Sequence, residues 1–283
     1  MSHDIVELFG HPTSHEAGVD WKAAIRTQRC PYLGRTCIKV RKSQPRISIG
    51  TCTVLHGAAR QPVMICPFRL LEGRQIFADC LHLLTLHEPG NELHVIPEMT
   101  LPGGSVDYFL VSATKGKPVD FVGIELQTLD TTGTVWPARP RFLKSVGAPT
   151  DARAAKSPKP YGINWKMTAK TILVQLHHKI QTFEHISKHL VLIVQDRLLE
   201  YMGREFTLDH LSDPKLGHAM HFHAYSLDQH GTSHRLQLAE RRSTDAAGIS
   251  MALGLQEQAN VELSVILADI EAKLSARTRW TPA

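Results

Sequence analysis

Two carboxylates and one amide occupy positions from which their side chains could share a metal ion. Asp107 opens one predicted strand, Glu125 lies near the end of the next, and Gln127 follows two residues later. Because side chains alternate along a strand, Glu125 and Gln127 share one face and Leu126 points to the other. Mg²⁺ prefers carboxylate oxygens, and a bound divalent ion polarises a phosphate ester and lowers the pKa of water. The spacing therefore predicts phosphodiester hydrolysis with Mg²⁺ held by Asp107 and Glu125.

Gln127 and Glu98 are further candidates for this site. The amide of Gln127 can orient an attacking water, but it carries no charge and cannot act as a base. Glu98 follows the first predicted strand, either as a third carboxylate or as a residue that only caps a turn. The alternative for the whole group is an exposed aspartate beside a turn and an unrelated Glu-x-Gln at a strand end.

Four cysteines in the segment 30–66 form a second candidate site. The N-terminus lacks the basic and apolar regions of a secretory signal, so we expect a cytoplasmic, reducing location in which disulfides are rare. Four thiolates can enclose one Zn²⁺ or iron ion with no open position, which predicts a structural metal site. Four scattered buried thiols are the alternative, and Cys80 is expected to be a small buried side chain. The candidate ligands are Cys30, Cys37, Cys52 and Cys66.

The distribution of positive charge favours an anionic partner. The chain has a net charge of +5, and no acidic residue lies between Asp20 and Glu72. A second basic segment, 139–170, contains Asp151 as its one acidic residue. Basic segments on either side of an acidic site suit a DNA duplex, although charged segments often only face solvent. The candidate DNA contacts are Arg35, Arg41, Lys42, Arg139, Arg141, Lys144 and Lys166.

Hydrophobic periodicity predicts an α/β fold with a mixed sheet flanked by helices. Apolar residues recur at helical spacing at 69–84, 165–183 and 261–274. The segment 138–160 is rich in Pro, Ala, Arg and Lys and is predicted as a long loop. The polar segment 228–246 is predicted as a loop or a frayed helix. Runs of β-branched and apolar residues predict strands at 93–96, 106–111, 120–126, 190–194 and 222–227.

The sequence pattern also predicts how the chain divides into segments and which cofactors and membrane spans are not expected. We predict an N-terminal metal-binding, DNA-contacting segment at 1–67, a catalytic core at 68–200 and a C-terminal extension at 201–283 that packs on the core. No glycine-rich phosphate loop occurs, so no nucleotide cofactor is expected. No apolar run is long enough to predict a membrane span.

The motifs and their order resemble those of the NotI family of type II restriction endonucleases. The resemblance covers about 20–200 and leaves the C-terminal third unmatched. Its residues are Cys30-Pro31, Cys37, Cys52, Ile65-Cys66-Pro67, Val106-Asp107-Tyr108, the run from Ile124 to Gly133, and Asn164-Trp165-Lys166.

This resemblance implies a fold, cofactors and a partner. The fold would be the PD-(D/E)xK nuclease core, in which Gln127 stands where most such enzymes have lysine. The four cysteines would hold structural iron, with zinc as a substitute, and the acidic site would use Mg²⁺. The enzyme would be a homodimer that cuts double-stranded DNA at a GC-rich palindrome.

The functional hypothesis is therefore a Mg²⁺-dependent type II site-specific deoxyribonuclease. One alternative is a structure-specific DNA repair nuclease built on the same core. The other is a non-catalytic, metal-stapled DNA-binding protein. Discrete fragments from genomic DNA would favour the site-specific deoxyribonuclease. Cutting at forks or damage would favour the repair nuclease. DNA binding without cleavage would favour the non-catalytic DNA-binding protein.

Overall fold

The computed structural model describes residues 4–157, 160–255 and 272. The fold is α/β with a mixed sheet, as predicted. The helix predicted at 261–274 lies outside these ranges apart from residue 272. In the described ranges, no helix is long and apolar enough to cross a membrane.

The N-terminal segment folds around a small antiparallel sheet. Its strands and helices are β1 (Ile5–Leu8), β2 (His11–Pro12), a 3-10 turn (His15–Ala17), α1 (Trp21–Thr27), β3 (Arg29–Cys30), β4 (Arg35–Thr36), β5 (Val40–Arg41), β6 (Gln44–Ser48), β7 (Thr51–His56) and β8 (Gln61–Met64). The sheet has the order β2-β1-β7-β8, while β3 pairs with β4 and β5 with β6. Asp20 caps α1 by accepting a hydrogen bond from the backbone N–H of Ala23.

The segment 69–84 is not the continuous helix that its apolar spacing predicts. It consists of a 3-10 turn (Pro67–Arg74), a short helix α2 (Gln75–Ala78) and another 3-10 turn (Leu81–Leu83). Glu72 is extended and Gly73 has a φ of 58°, so the helical path ends there. The buried positions are still those of the apolar pattern, because successive short turns keep Leu70, Ile76 and Leu83 inside.

The rest of the chain builds a six-stranded sheet and the helices that cover it. The order is β16-β15-β14-β11-β10-β9, with β11, β14 and β15 parallel and the outer pairs antiparallel. The elements are β9 (Glu92–Leu101), β10 (Gly104–Thr114), β11 (Lys117–Gln127), β12 (Thr131–Gly133), α3 (Ala138–Ser145), α4 (Ala152–Ala155), β13 (Tyr161–Ile163), α5 (Trp165–His185), β14 (His189–Gln195), α6 (Asp196–Glu205), β15 (Met220–His230), β16 (Ser233–Thr244) and α7 (Ala246–Ala252).

All five predicted strands are confirmed, each as part of a longer strand, and so is the helix at 165–183, which is α5. The loop predicted at 138–160 is wrong, because it contains α3 and α4. Phe142 and Leu143 of α3 are fully buried with Leu8 and Phe9. Pro140 is tolerated because it lies in the first turn of α3, where no backbone N–H is needed.

Polar composition also misled the prediction for 228–246, which is largely the long strand β16. It pairs antiparallel with β15, so both strands of the C-terminal region extend the central sheet. The boundaries at 67 and 200 remain predictions.

Alternation along β14 explains its uninterrupted apolar run. Leu190, Leu192 and Val194 contribute to the hydrophobic cluster that includes the buried side of α5. Val191 and Ile193 belong to the cluster on the opposite face, formed with the segment 67–84. The strand is covered on both faces, as expected of a central parallel strand.

One buried ion-pair network joins the N-terminal segment to the central sheet. The Arg69 guanidinium donates from Nε to the Glu7 carboxylate at 2.8 Å and from a terminal nitrogen to Glu72 at 2.9 Å. Its other terminal nitrogen donates to the backbone oxygen of His234 at 2.8 Å. Arg69 is fully buried and Glu7 nearly so, and the Thr53 hydroxyl also donates to Glu7. The network therefore ties β1 and β7 to β16.

Replacing Arg69 with glutamine should destabilise the protein strongly, because the buried Glu7 carboxylate loses its charge partner. We expect the free energy of unfolding to fall by about 3–5 kcal/mol, measured by urea denaturation. The matched control is Arg60→Gln at the exposed Arg60–Asp4 pair, where a loss below about 1 kcal/mol is expected. Equal losses in the two variants would contradict the role given to the buried network.

Candidate active site

Three neighbouring strands align the acidic candidates in one row. In the antiparallel β10–β11 pair, Tyr108 lies opposite Ile124. The next pair of positions along this register places Asp107 opposite Glu125. In the β9–β10 pair, Val106 lies opposite Met99 and Tyr108 opposite Pro97, which leaves Glu98 beside Asp107. The Cα atoms of opposite residues on neighbouring strands lie about 5 Å apart. The backbone thus brings Glu98, Asp107 and Glu125 together.

The Asp107 carboxylate is held in place by the neighbouring strand. One of its oxygens accepts a hydrogen bond from the backbone N–H of Leu126 at 2.8 Å. Although Asp107 is exposed as a residue, protein atoms crowd its carboxyl group, and this loss of water raises the pKa of Asp107. The Leu126 N–H and the Lys179 charge oppose the rise, and Glu98 adds to it.

Glu125 is buried and ion-paired. Its Oε1 lies 2.6 Å from the Nζ of Lys179, which comes from α5. The pKa of Glu125 is raised to about 7, mainly by burial. The hydrogen bond and charge of Lys179 act against this rise, and the nearby Asp107 adds to it. Burial and the adjacent Asp107 carboxylate both favour the protonated form of Glu125, and the ammonium group of Lys179 favours the ionised form.

Gln127 and Glu98 occupy the edges of the site. Gln127 is half-buried, and its side-chain Nε2 donates to the backbone oxygen of Thr128 at 2.6 Å. Glu98 is exposed and has a φ of 39°, an unusual backbone conformation for a residue other than glycine. Across the described part of the chain, no three His, Cys, Asp or Glu side chains are grouped as metal ligands. Glu98 therefore does not complete a three-carboxylate group with Asp107 and Glu125.

A cleft of about 430 Å³ opens on these side chains and is lined by Asp107, Glu125, Gln127, His178 and Lys179, among others. A solvent-accessible cleft with two carboxylates suits a hard cation and a phosphate. The oxygen donors present here therefore match the chemistry of Mg²⁺.

Helix α5 forms the wall of the cleft opposite the strands, and the turn between β9 and β10 packs tightly on it. The Thr182 hydroxyl donates to the backbone oxygen of Pro102 at 2.8 Å. A Cβ added at Gly103 would lie 2.3 Å from the backbone oxygen of His178. Glycine at this turn thus allows the β9–β10 turn to lie directly against α5, the helix that carries Lys179.

Sequence reasoning missed Lys179. The apolar face of α5 runs through Ile172, Leu176 and Phe183, and Lys179 occupies an intermediate position on that face, where it is buried. A lysine at an apolar position of an amphipathic helix is uncommon unless it is paired. A charged residue on an otherwise apolar helix face was therefore the sequence feature that could have identified Lys179.

The four cysteines are buried close enough to influence one another. The neighbouring thiols Cys37 and Cys66 affect the ionisation of Cys30, and Cys52 shares a side-chain hydrogen bond with Cys66. This bond lowers the pKa of Cys66 to about 6. Burial raises the pKa of Cys30 and of Cys37, and the bond to Cys66 together with burial raises that of Cys52.

The predicted closed cysteine cage is not formed among the described residues. Burial favours the neutral form of Cys30 and Cys37, and the hydrogen bond to Cys66 together with burial favours that of Cys52. Backbone N–H groups nevertheless point at all four sulfurs, including those of Leu33, Lys39, Gly10 and Phe68. Sulfur is the ligand type that iron and zinc prefer, so the chemistry of these side chains suits a soft metal. Their described positions do not group three of them around one ion.

The candidate DNA contacts differ in exposure. Arg35, Lys42, Lys144 and Lys166 are exposed, and Arg41 and Arg141 are half-buried. Arg139 is buried, and burial lowers its pKa to about 10. The guanidinium groups of Arg41 and Arg139 lie 4.6 Å and 5.0 Å from the ring centre of Trp136. The expectation that Arg139 contacts DNA directly is corrected, because its side chain packs inside the protein.

A mixed sheet with an acidic cleft, in a chain that also exposes several basic side chains, has features expected of a nuclease. The family model described as restriction endonuclease NotI matches residues 23–237. The match extends from α1 into β16, so the chain belongs to the NotI family of restriction endonucleases, and its substrate is DNA. No curated protein matches the chain.

The turn on α5 provides a test of how the site is positioned. Gly103→Ala should lower the free energy of unfolding by about 1–3 kcal/mol more than Gly116→Ala, because only the first forces atoms together. Gly116 is a suitable control, since it also has a positive φ and has no atom within 4 Å of an added Cβ. Thermal or urea unfolding measures both losses, and equal values would contradict a tight contact between the turn and α5.

Proposed function

We propose that this restriction endonuclease is a type II enzyme that cleaves double-stranded DNA at a specific sequence in a Mg²⁺-dependent reaction. The observation that carries the proposal is the pair Asp107 and Glu125 on neighbouring strands of an open cleft. Two carboxylates on adjacent strands can hold a divalent cation and leave positions for water and phosphate.

Each side chain of the site has a distinct role in this proposal. Asp107 and Glu125 hold the ion, and the Leu126 backbone N–H fixes the orientation of the Asp107 carboxylate. When bound, Mg²⁺ supplies Lewis-acid polarisation of the scissile phosphate and acidifies the attacking water. Gln127 orients that water through its amide, for which its side chain must leave the Thr128 backbone oxygen. No role requires Gln127 to accept a proton.

DNA recognition is assigned to the exposed basic side chains. Arg35 and Lys42 belong to the N-terminal segment, and Lys144 and Lys166 follow the catalytic strands in sequence. Lysine and arginine bind phosphates, and arginine also contacts guanine edges in the major groove. A homodimer that reads a GC-rich palindrome is proposed from family membership, since a two-fold dimer matches a two-fold site.

The four cysteines are proposed to bind one structural iron ion, or zinc in its place. Their burial and the backbone N–H groups around their sulfurs support this assignment. Lys39 adds a positive charge that lowers the pKa of Cys66. A metal at these sulfurs would fix the basic strands β4 and β5 relative to the sheet.

Removing either proposed metal ligand of the active site should abolish cleavage but preserve DNA binding. We expect Asp107→Asn and Glu125→Gln to lower the cleavage rate about 1000-fold or more, because several kcal/mol of charge stabilisation is lost with the metal. The assay incubates purified protein with phage DNA and Mg²⁺ and sequences the fragment ends. Glu92→Gln, at an exposed carboxylate of β9, is the control and should cleave normally.

The same assay separates this proposal from its rivals. Fixed ends within one repeated sequence support a site-specific enzyme, and cutting restricted to forked DNA indicates a repair nuclease. Wild-type protein that binds DNA but leaves it intact indicates a non-catalytic protein. Normal cleavage by both active-site variants would refute the assigned ligands.

The cysteine site is tested by elemental analysis of purified protein. Cys66→Ala should lose bound iron or zinc and bind DNA more weakly, because the basic strands lose their common anchor. Cys80→Ala removes a buried thiol that lies outside the group and should keep the metal. Metal retained in Cys66→Ala, or absent from the wild-type protein, would contradict the proposed site.

A further inference from the structure

The active site has no charged group at the strand position that most PD-(D/E)xK enzymes fill with lysine. Gln127 stands there, is neutral, and donates its Nε2 hydrogen to a backbone oxygen. Phosphoryl transfer nevertheless develops negative charge that a positioned cation stabilises. A second source of positive charge is therefore expected close by.

Lys179 is the one lysine or arginine among the described residues that line the cleft. Its Nζ lies 2.6 Å from the Glu125 carboxylate, its side chain is 10% exposed, and its charge also acts on Asp107. Because it comes from α5 and not from the sheet, it approaches the carboxylates from the opposite wall. The tight turn at Gly103 and the Thr182–Pro102 hydrogen bond hold that wall in place.

We propose that Lys179 is the positioning cation of this active site and supplies from α5 the charge that Gln127 lacks. The inference rests on the proposed function and deepens it. In the metal-free protein the ammonium group balances Glu125 and Asp107. With a divalent ion held by Asp107 and Glu125, the ammonium group would be released from Glu125 and would be placed to contact the scissile phosphate from the α5 side of the cleft.

If Lys179 has this role, its removal should change Mg²⁺ affinity and cleavage rate in opposite directions. The positive charge of Lys179 competes with a divalent cation for Glu125, so its removal should tighten Mg²⁺ binding. The same removal deprives the phosphate of a cation, so cleavage should slow. A purely structural ion pair would behave differently, because its loss would disorder Glu125 and weaken both.

The experiment compares Lys179→Met, Lys179→Arg and the control Lys170→Met, which changes an exposed lysine of the same helix. Mg²⁺ binding is measured by calorimetry on the full chain without DNA, and cleavage is measured at saturating Mg²⁺. For Lys179→Met we expect Mg²⁺ affinity to rise about tenfold and cleavage to fall about 100-fold. Lys170→Met should stay within about threefold of wild type, since it leaves the charge near Glu125 in place. Lys179→Arg should cleave faster than Lys179→Met, because it keeps a positive charge there in a different geometry.

A compensating change makes the test decisive. Adding Gln127→Lys to Lys179→Met restores a charge from the strand, so cleavage should recover at least tenfold and Mg²⁺ affinity should fall again. The inference is overturned by weaker or unchanged Mg²⁺ binding in Lys179→Met, or by no recovery in the double variant. If Lys179→Met does not fold, failure of Lys179→Arg to support cleavage overturns it instead.

Failure of the proposed function would look different. Wild-type protein that never cleaves, or normal cleavage by Asp107→Asn, would refute the function while the Mg²⁺ affinities still test the competition between Lys179 and the cation. A tighter Mg²⁺ site in Lys179→Met, together with inactive wild-type protein, would support the charge balance and reject the enzyme.

Discussion

The structure of the site depends on the balance of charge among Asp107, Glu125 and Lys179. Two carboxylates on adjacent strands repel each other, and burial of Glu125 makes its ionised form costly. The 2.6 Å contact with Lys179 offsets this cost and at the same time fixes where α5 must lie. The parallel pairing of β11 with β14 fixes the strand that carries Glu125, and hydrophobic clusters cover both faces of the sheet. The same packing therefore keeps Asp107, Glu125 and Lys179 in one cleft.

The strands of this arrangement were predictable from the sequence because each carries its signal locally. Apolar runs gave the central strands, and their order gave the neighbouring positions of Asp107 and Glu125. The position of α5 over those strands was not predictable in the same way. It depends on contacts between residues far apart in the chain, such as Thr182 with Pro102. Lys179 was missed for this reason, since its partner lies on another element.

Two errors have a common physical cause. Composition predicted loops or frayed structure at 138–160 and 228–246, yet α3 buries Phe142 and Leu143 and β16 pairs fully with β15. In both segments tertiary contacts outweigh a polar composition. The opposite error at 69–84 arises because Gly73 ends the helical path while Arg69 turns inward to Glu7. A buried ion pair leaves little trace in hydrophobic periodicity.

The N-terminal segment shows why a metal there would have a positioning role. A chain region that lacks its own core usually needs a metal to fold. Here Leu8 and Phe9 pack with α3, and the Arg69–Glu7 pair joins the segment to the sheet through contacts that do not involve the cysteine sulfurs. A metal bound by the cysteines would therefore add little to the existence of the fold. It would instead restrict the basic strands β4 and β5, whose residues are exposed or half-buried. The loss of that metal should accordingly affect DNA binding more than stability.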